Sequence, residues 1–550
     1  MGDTATIEPQ TAQAEKLSVG PVLQANELEV RLGADTLRLQ APIELQAGKL
    51  YVLWGPSGSG KSSFVRALLG LGELASPRVR VSGEVKLKDA LGIEHDLWSG
   101  EAYSPSVRSQ IAYLPQSEKL GFIDGLSTAE NVRLFSGLDR NSAKTHADRL
   151  AARFHLMSLP AKVSHASGGE RMRLSAVRAL LKRGENEPAP SLVIADEPTS
   201  GLDAVAAHSL ARELIDYARR KDSVVVVITH DPQVFTGQEP PEVDRASGSK
   251  IVHVLECNVG EGAHAPVDRQ VGELRIEAGR PVNPLVAATK QKLGESLNTL
   301  GGAVLSPLAF LWGLLRIKRP LFVLKKLLAD GLSPGTHLFS WLGSLLIGGT
   351  VAYFIFEQLP RPELVEPLLL QEILQATGHT LVRVVLPLGA AALITGKLGA
   401  AQAARLSSGV RSGMLETLAL ARWPVESFAL VPAVLAQVLA IAIATGLAVA
   451  SGVTLAALIY VAGHEGASLG LALNLMSDGL SDAPKWFEFL LAKICISGFI
   501  GGTLAAMFGL TPATSEDDVA KAVHRTLLWG ILAVITAQCA LIIWEFTSFR

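Results

Sequence analysis

The sequence predicts an α/β domain built around a phosphate-binding loop, followed by an all-α polytopic membrane domain of about five transmembrane helices plus an interfacial helix. Three observations predict it. Residues 50–69 read as an apolar strand, a glycine-rich loop and a helical pattern. Long uncharged runs are confined to residues 337–550. The mean hydropathy is +0.30 although 19% of the residues are charged, an average over a soluble half and a membrane half.

A chain of 550 residues is too long for one core. The net charge of −2 gives no electrostatic reason for a nucleic-acid partner. Cys257, Cys495 and Cys539 are scattered and suggest neither a disulfide framework nor a metal site. The first 25 residues lack an apolar core segment, so no cleavable signal peptide is expected. The soluble half is therefore expected in the cytoplasm.

Residues 1–24 read as a polar tail. Leu28–Leu32, Leu37–Gln40 and Val79–Leu87 alternate apolar and polar residues and predict strands of a small antiparallel sheet. Between them Leu50–Leu53 leads into Gly55-Pro56-Ser57-Gly58-Ser59-Gly60-Lys61-Ser62-Ser63, the Walker A pattern. Glycines let successive N–H groups point into one concavity, and the following helix adds partial positive charge. Lys61 is expected to reach the β- and γ-phosphates, and Ser62 to hold Mg²⁺.

Ile111–Leu114 is an apolar strand running into Pro115-Gln116. Thr128–Val132 is followed further on by Ala166-Ser167-Gly168-Gly169-Glu170-Arg171, which opens a helical stretch. Ser191–Ala195 is apolar and ends in Asp196-Glu197, the Walker B pattern. Ser200-Gly201-Leu202-Asp203 comes next, and the buried strand Val224–Thr229 ends at His230. Any one of these alone reads more simply as a turn or a solvated loop. In this order and spacing, over residues 26–256, they resemble an ABC-transporter ATPase of the MlaF-like kind.

The resemblance implies the following roles. Gln116 meets Mg²⁺ and the attacking water, so Ser62, Gln116 and Asp196 form the Mg²⁺ set. Glu197 polarises the water, and His230 contacts the γ-phosphate. Ser167, Gly168 and Gly169 present a hydroxyl and N–H groups to ATP bound on a second subunit. One Walker A and one such signature per chain then imply a homodimer with two composite ATP sites. Two departures stand out. Glu170 replaces the usual glutamine, and Glu29–Leu39 holds no aromatic residue for stacking on adenine, which leaves the base to Arg31 or apolar contacts.

Residues 257–304 carry glycine, proline and mixed charge and read as strand ends and a linker. Leu305–Leu328 interleaves aromatic and apolar residues with Arg316, Lys318, Arg319, Lys325 and Lys326, the pattern of a helix lying in a membrane interface. Beyond it, Leu338–Phe356, Ile373–Gly396, Ser427–Gly463, Phe489–Leu510 and Thr526–Trp544 read as spans. The loops between spans are placed by charge: residues 357–372 and 464–488 are acidic and are expected outside; residues 397–422 are basic and expected inside, as a cytoplasmic loop with a short helix in it. Ser427–Gly463 must then cross once, as one long helix, and the C-terminus lies outside.

Gly396–Arg405, Met414–Leu418, Trp423-Pro424 and Pro432–Ala436 resemble the MlaE (YrbE) permease family, over residues 305–550. This implies lipid trafficking with MCE-domain proteins in the bacterial inner membrane: ATP-driven movement of phospholipid or a related lipid to or from a periplasmic MCE partner. An ABC exporter of drugs or polysaccharide is the alternative. Glu416 and Arg405 are candidates for coupling to the ATPase. Arg383 and Lys493 lie within apolar runs, where charge is costly. They are expected either to bind a lipid phosphate or to snorkel to an interface.

Overall fold

The computed structural model describes residues 20–32, 35–39, 42–54, 61–69, 79–97, 110–116, 121–123, 126–133, 140–154, 156, 159–181, 190–219, 223–236, 252–259, 274–277, 305–317, 325, 329–357, 362–420, 423–464, 466–481, 485–511, 513 and 515–547. The chain forms two compact units, residues 1–284 with 412–422, and residues 285–411 with 423–550.

The strands of the first unit are β1 (Val22–Leu32), β2 (Asp35–Leu39), β3 (Ile43–Gln46), β4 (Leu50–Trp54), β5 (Val79–Lys88), β6 (Glu94–Asp96), β7 (Ile111–Leu114), β8 (Leu192–Asp196), β9 (Val224–Thr229), β10 (Val252–Val259) and β11 (Leu274–Glu277). They make one sheet in the order β6-β5-β1-β2-β11-β10-β4-β9-β8-β7, with β3 beside β1. From β10 to β7 all neighbours are parallel. Parallel strands need helical crossovers on both faces, so their residues are apolar throughout rather than alternating. β8 and β9 obey this: every residue is buried. Ile194, Val226 and Ile228 enter one core with Phe64 and Leu68, while Val193, Val225 and Val227 enter another with Leu174, Val177 and Leu210.

Residues 274–277, read from sequence as part of a linker, form β11. It pairs parallel with β10 and antiparallel with β2. Four residues close to Gly272 and Gly279 give too short an alternation to stand out. The remainder of the expected linker, residues 260–273 and 278–304, lies outside the described residues.

Among the described residues, five helices of the second unit are long and apolar enough to cross a membrane: Ala329–Phe356, Gln371–Arg411, Glu426–Gly463, Trp486–Gly509 and Glu516–Thr547. The third is a single helix, with a π-turn at Glu426–Leu430 and Pro432 in the first turn of its α-helical part. The fourth packs on it through Gly498 and Gly502. A Cβ at either position would come within 2.6 Å of Val438 Cα or 2.4 Å of Val434 Cα, so small residues four apart set this approach. Of the expected interfacial helix, Leu305–Leu315 is described, with Leu308, Leu311, Trp312 and Leu315 exposed and Arg316 3.9 Å above the Trp312 ring. Lys318, Arg319 and Lys326 lie outside the described residues.

The basic stretch 397–422 is not a loop. The second helix continues through it to Arg411, with π-turns at Leu381–Val385 and Thr395–Gly399. Counting charge along the stretch hid its helical spacing. Gly396 faces Ile531, and Gly399 faces Gln437, Thr526 and Ala505, so the small residues are a packing seam. Only residues 412–424 remain between the second and third spans. The acidic stretch 464–488 likewise contains a helix, Leu469–Ser481.

Arg383 and Lys493 do not snorkel. Both are buried, and both reach Glu545 on the fifth helix: Arg383 Nε donates to Glu545 Oε1 at 2.6 Å, and Lys493 Nζ is paired with Oε2. Lys493 Nζ also donates to the Arg383 carbonyl at 2.7 Å. His379 meets the Arg383 guanidinium, which sits 4.7 Å from the Phe546 ring. One carboxylate thus ties the second, fourth and fifth helices together. Replacing Glu545 by Leu leaves two cations buried without it and is expected to cost about 3–5 kcal/mol. Thermal unfolding in detergent reads this, and the triple change Arg383→Met, Lys493→Met, Glu545→Leu is expected to recover most of the loss. An unchanged midpoint in Glu545→Leu would show that these charges are solvated.

Candidate active site

The carboxyl ends of parallel strands are where an α/β sheet presents ligand-binding residues. β4, β9, β8 and β7 all end at one edge, because Trp54 pairs in register with Thr229, Asp196 with Ile228, and Leu114 with Ala195. From that edge come Lys61 and Ser62 after β4, His230 after β9, Asp196 and Glu197 at β8, and half-buried Gln116 after β7.

Lys61 is buried at the start of the helix Lys61–Leu68. Ser62 Oγ donates to Asp196 Oδ1 at 3.0 Å, joining the Walker A helix to the Walker B strand. Gly55, Ser57, Gly58 and Gly60 lie outside the described residues, as do the side chains of Ser63 and Arg31. Glu197 has φ +50°, a left-handed conformation unusual for a glutamate. Its N–H is held by the Ile228 carbonyl at 2.9 Å, and its Oε1 lies 2.5 Å from His230 Nε2. The backbone twist therefore turns Glu197 toward the histidine, while Asp196 keeps the strand geometry and faces Ser62.

His230 is itself braced. Its carbonyl accepts the indole N–H of Trp54 at 3.2 Å, and Thr229 Oγ1 holds Asp231 N–H at 3.0 Å. Trp54 immediately precedes the phosphate loop, so one ring couples that loop's entry to the histidine turn. The sequence reading gave Trp54 no role; an aromatic at the end of a strand carries no signal until its neighbour is known.

The helix Gly168–Leu180 begins at Ser167, whose side chain accepts from Glu170 N–H while Glu170 Oε2 accepts from Ser167 N–H at 2.8 Å. A capping box accepts glutamate or glutamine at this position, so the helix start keeps its form with Glu170. The Ser167 N–H and hydroxyl hold the Glu170 carboxyl below its ordinary pKa. Ser167 and Gly168 are exposed, with helix N–H groups free to meet an anion. Gly169 approaches Leu202.

Residues 412–420 pack in this same unit. Gly121 donates its N–H to the Ser412 carbonyl at 2.8 Å. With φ +57° and a would-be Cβ 1.9 Å from Thr417 Oγ1, position 121 admits only glycine. The short helix Met414–Leu420 contains Glu416, whose side chain lies outside the described residues. Arg405 belongs to the second unit, where it pairs with Asp330.

Residues 40–200 match the family model described as ABC transporter, and residues 332–544 the one described as Permease MlaE. The hemin import ATP-binding protein HmuV of Pseudomonas aeruginosa is 33% identical over 220 residues, covering 38% of this chain and 77% of that protein. The lipoprotein-releasing system ATP-binding protein LolD of Idiomarina loihiensis is 30% identical over 220 residues, covering 38% and 88%. A dimeric solved structure of MJ0796, a bacterial ABC transporter cassette, is 20% identical with a TM-score of 0.34, covering 47% of this chain and all of that one.

This chain belongs to the ABC transporter family. Its ATPase and an MlaE-type permease share one polypeptide. The transporter hydrolyses ATP to drive transport, and it is a multi-pass membrane protein. The bond from Trp54 to His230 yields a test specific to this ABC transporter. Trp54→Phe keeps the ring and removes one neutral hydrogen bond, so kcat for ATP is expected to fall about 2- to 10-fold with KM little changed. A full-rate variant would show that Trp54 does not position the histidine.

Proposed function

We propose that two copies of this chain associate head to tail, each Walker A loop facing the other's Ser167-Gly168-Gly169. In this reading the homodimer moves phospholipid or a related lipid between the bacterial inner membrane and an MCE-type partner on the periplasmic side, with the ATPase in the cytoplasm. The carrying observation is the seating of residues 412–420 on the ATPase, in a chain whose residues 332–544 match an MlaE permease. The helix Leu469–Ser481 lies in the stretch we assign to the outer face and offers a dock for the partner.

The donor set suits Mg²⁺, since Ser62 hydroxyl, Asp196 carboxylate and Gln116 amide are hard oxygens. Bound there, Mg²⁺ would neutralise the phosphate charge that develops as the terminal phosphoryl group is transferred. Lys61 holds the β- and γ-phosphates. Glu197 orients and polarises the attacking water, and His230, 2.5 Å away, keeps the carboxylate in place and reaches the γ-phosphate. Closure of the dimer brings Ser167 onto the partner's nucleotide, and residues 412–420 carry the movement to the second and third spans.

Glu197→Gln keeps shape and loses the base. Turnover is expected to fall at least about 100-fold, with ATP-bound dimers accumulating on size exclusion; unchanged hydrolysis would remove Glu197 from this role. Mass spectrometry of lipid co-purifying with the detergent-solubilised dimer tests the substrate. Phospholipid is expected above the level found with an unrelated membrane protein. No enriched phospholipid, together with drug-stimulated ATPase activity, would favour an exporter of drugs or polysaccharide.

A further inference from the structure

Arg178 lies in the last turn of the signature helix Gly168–Leu180 and is among the most deeply buried side chains of the chain. Burial pushes its guanidinium down to about 9, still above neutral pH, so the group stays charged. A buried charge is costly, and an apolar side chain of similar volume would fill the space as well. What distinguishes the arginine is where its donors go. Nη1 donates to the Gly121 carbonyl at 3.1 Å, and the guanidinium carbon sits 4.5 Å from the Phe122 ring centroid. Gly121 in turn donates its N–H to Ser412, and its left-handed φ fixes the directions of both groups. Next in the chain, Ile123 exchanges hydrogen bonds with Asn131 at 2.8 and 3.1 Å, which anchors the strip from the other side.

One residue is therefore bonded through its carbonyl to the signature helix and through its N–H to the segment between the second and third spans. The signature helix has 13 residues and spans about 20 Å. Its first residues are the ones that would meet the partner's ATP; its last turn carries Arg178. We infer that Arg178 is a positioning residue: through Gly121 it holds the seat of residues 412–417 to the signature helix, so that engagement of ATP at Ser167 displaces the segment joining the spans. This rests on the coupling role proposed above for residues 412–420. A rigid helix with a ligand end and an output end supplies the physical connection that coupling between distant sites requires.

Hydrogen exchange on the full-length dimer in phospholipid nanodiscs, with Glu197→Gln as background, tests it. In that parent, adding ATP is expected to change the exchange of amides 412–418. Adding Arg178→Met is expected to leave ATP binding intact and to shrink that ATP-dependent change about ten-fold, the size of one charge-assisted hydrogen bond. In a background with Glu197 intact, lipid moved per ATP hydrolysed is expected to fall by a similar factor. Persistence of the ATP-dependent change in Arg178→Met overturns the inference, as does a parallel fall in transport and hydrolysis at a constant ratio, which marks a purely structural role. If Arg178→Met does not fold, Arg178→Lys serves instead, with a smaller expected loss; an undiminished response there also overturns it. If the parent itself shows no ATP-dependent change at 412–418, the coupling reading fails first, and the role of Arg178 falls with it.

Discussion

The parallel register of β4, β9, β8 and β7 is the constraint on which the ATPase depends. It brings four chain segments, far apart in sequence, to one edge within about a residue of the same level. The Ser62–Asp196 bond, the Glu197–His230 approach and the Trp54–His230 brace all follow from it. A slip of one residue in any pair would send its apolar residues to the wrong face, since β8 and β9 feed two separate cores by alternation. The same packing that stabilises the sheet therefore aligns the site, and the contacts from Ser62 and His230 complete the placement of the two carboxylates.

The second unit meets the opposite problem. With lipid as solvent, apolar surface gives helices little reason to associate, so close backbone approach and polar contacts take over. Gly498 and Gly502 bring the fourth helix against the third, and Gly399 and Gly501 bring helices close around Gln437. Glu545 adds a charged knot with Arg383 and Lys493. That knot is held by partners on three helices, which makes it far less tolerant of single changes than of coordinated ones.

Much of this was legible in the sequence, for a physical reason. Phosphate chemistry demands particular residues at short, fixed spacings, and those spacings survive in a one-dimensional reading. The Walker A and B patterns, the Ser-Gly-Gly start of a helix and the terminal histidine of a strand are of this kind. Five spans were legible too, because apolar length is a local property. What escaped was set by partners distant in the chain. Arg383 and Lys493 looked like lone cations because Glu545 falls just past an apolar run, where it reads as an ordinary boundary charge. Nothing local to Arg405 points to Asp330, its ion-pair partner 75 residues earlier in the chain. The seam at Gly396–Ala404 looked like a loop because charge was counted where helical spacing governs.

The short connection between the second and third spans bears directly on how force can travel. The second helix runs unbroken to Arg411, and helical structure resumes at 425. Between them, Met414–Leu420 is itself helical. A long flexible loop would absorb a displacement in its own torsions. Here few residues are available to do so, and Gly121 fixes Ser412 at the very point where the second helix ends. Under the coupling role proposed above, a shift of the seat is taken up by the ends of those two spans rather than by the connection. The second helix is also the one knotted to Glu545 through Arg383, so buried charge holds it to the fourth and fifth helices. Tilting that helix strains the charged anchor, and packed contacts of this kind favour discrete arrangements over a continuous range.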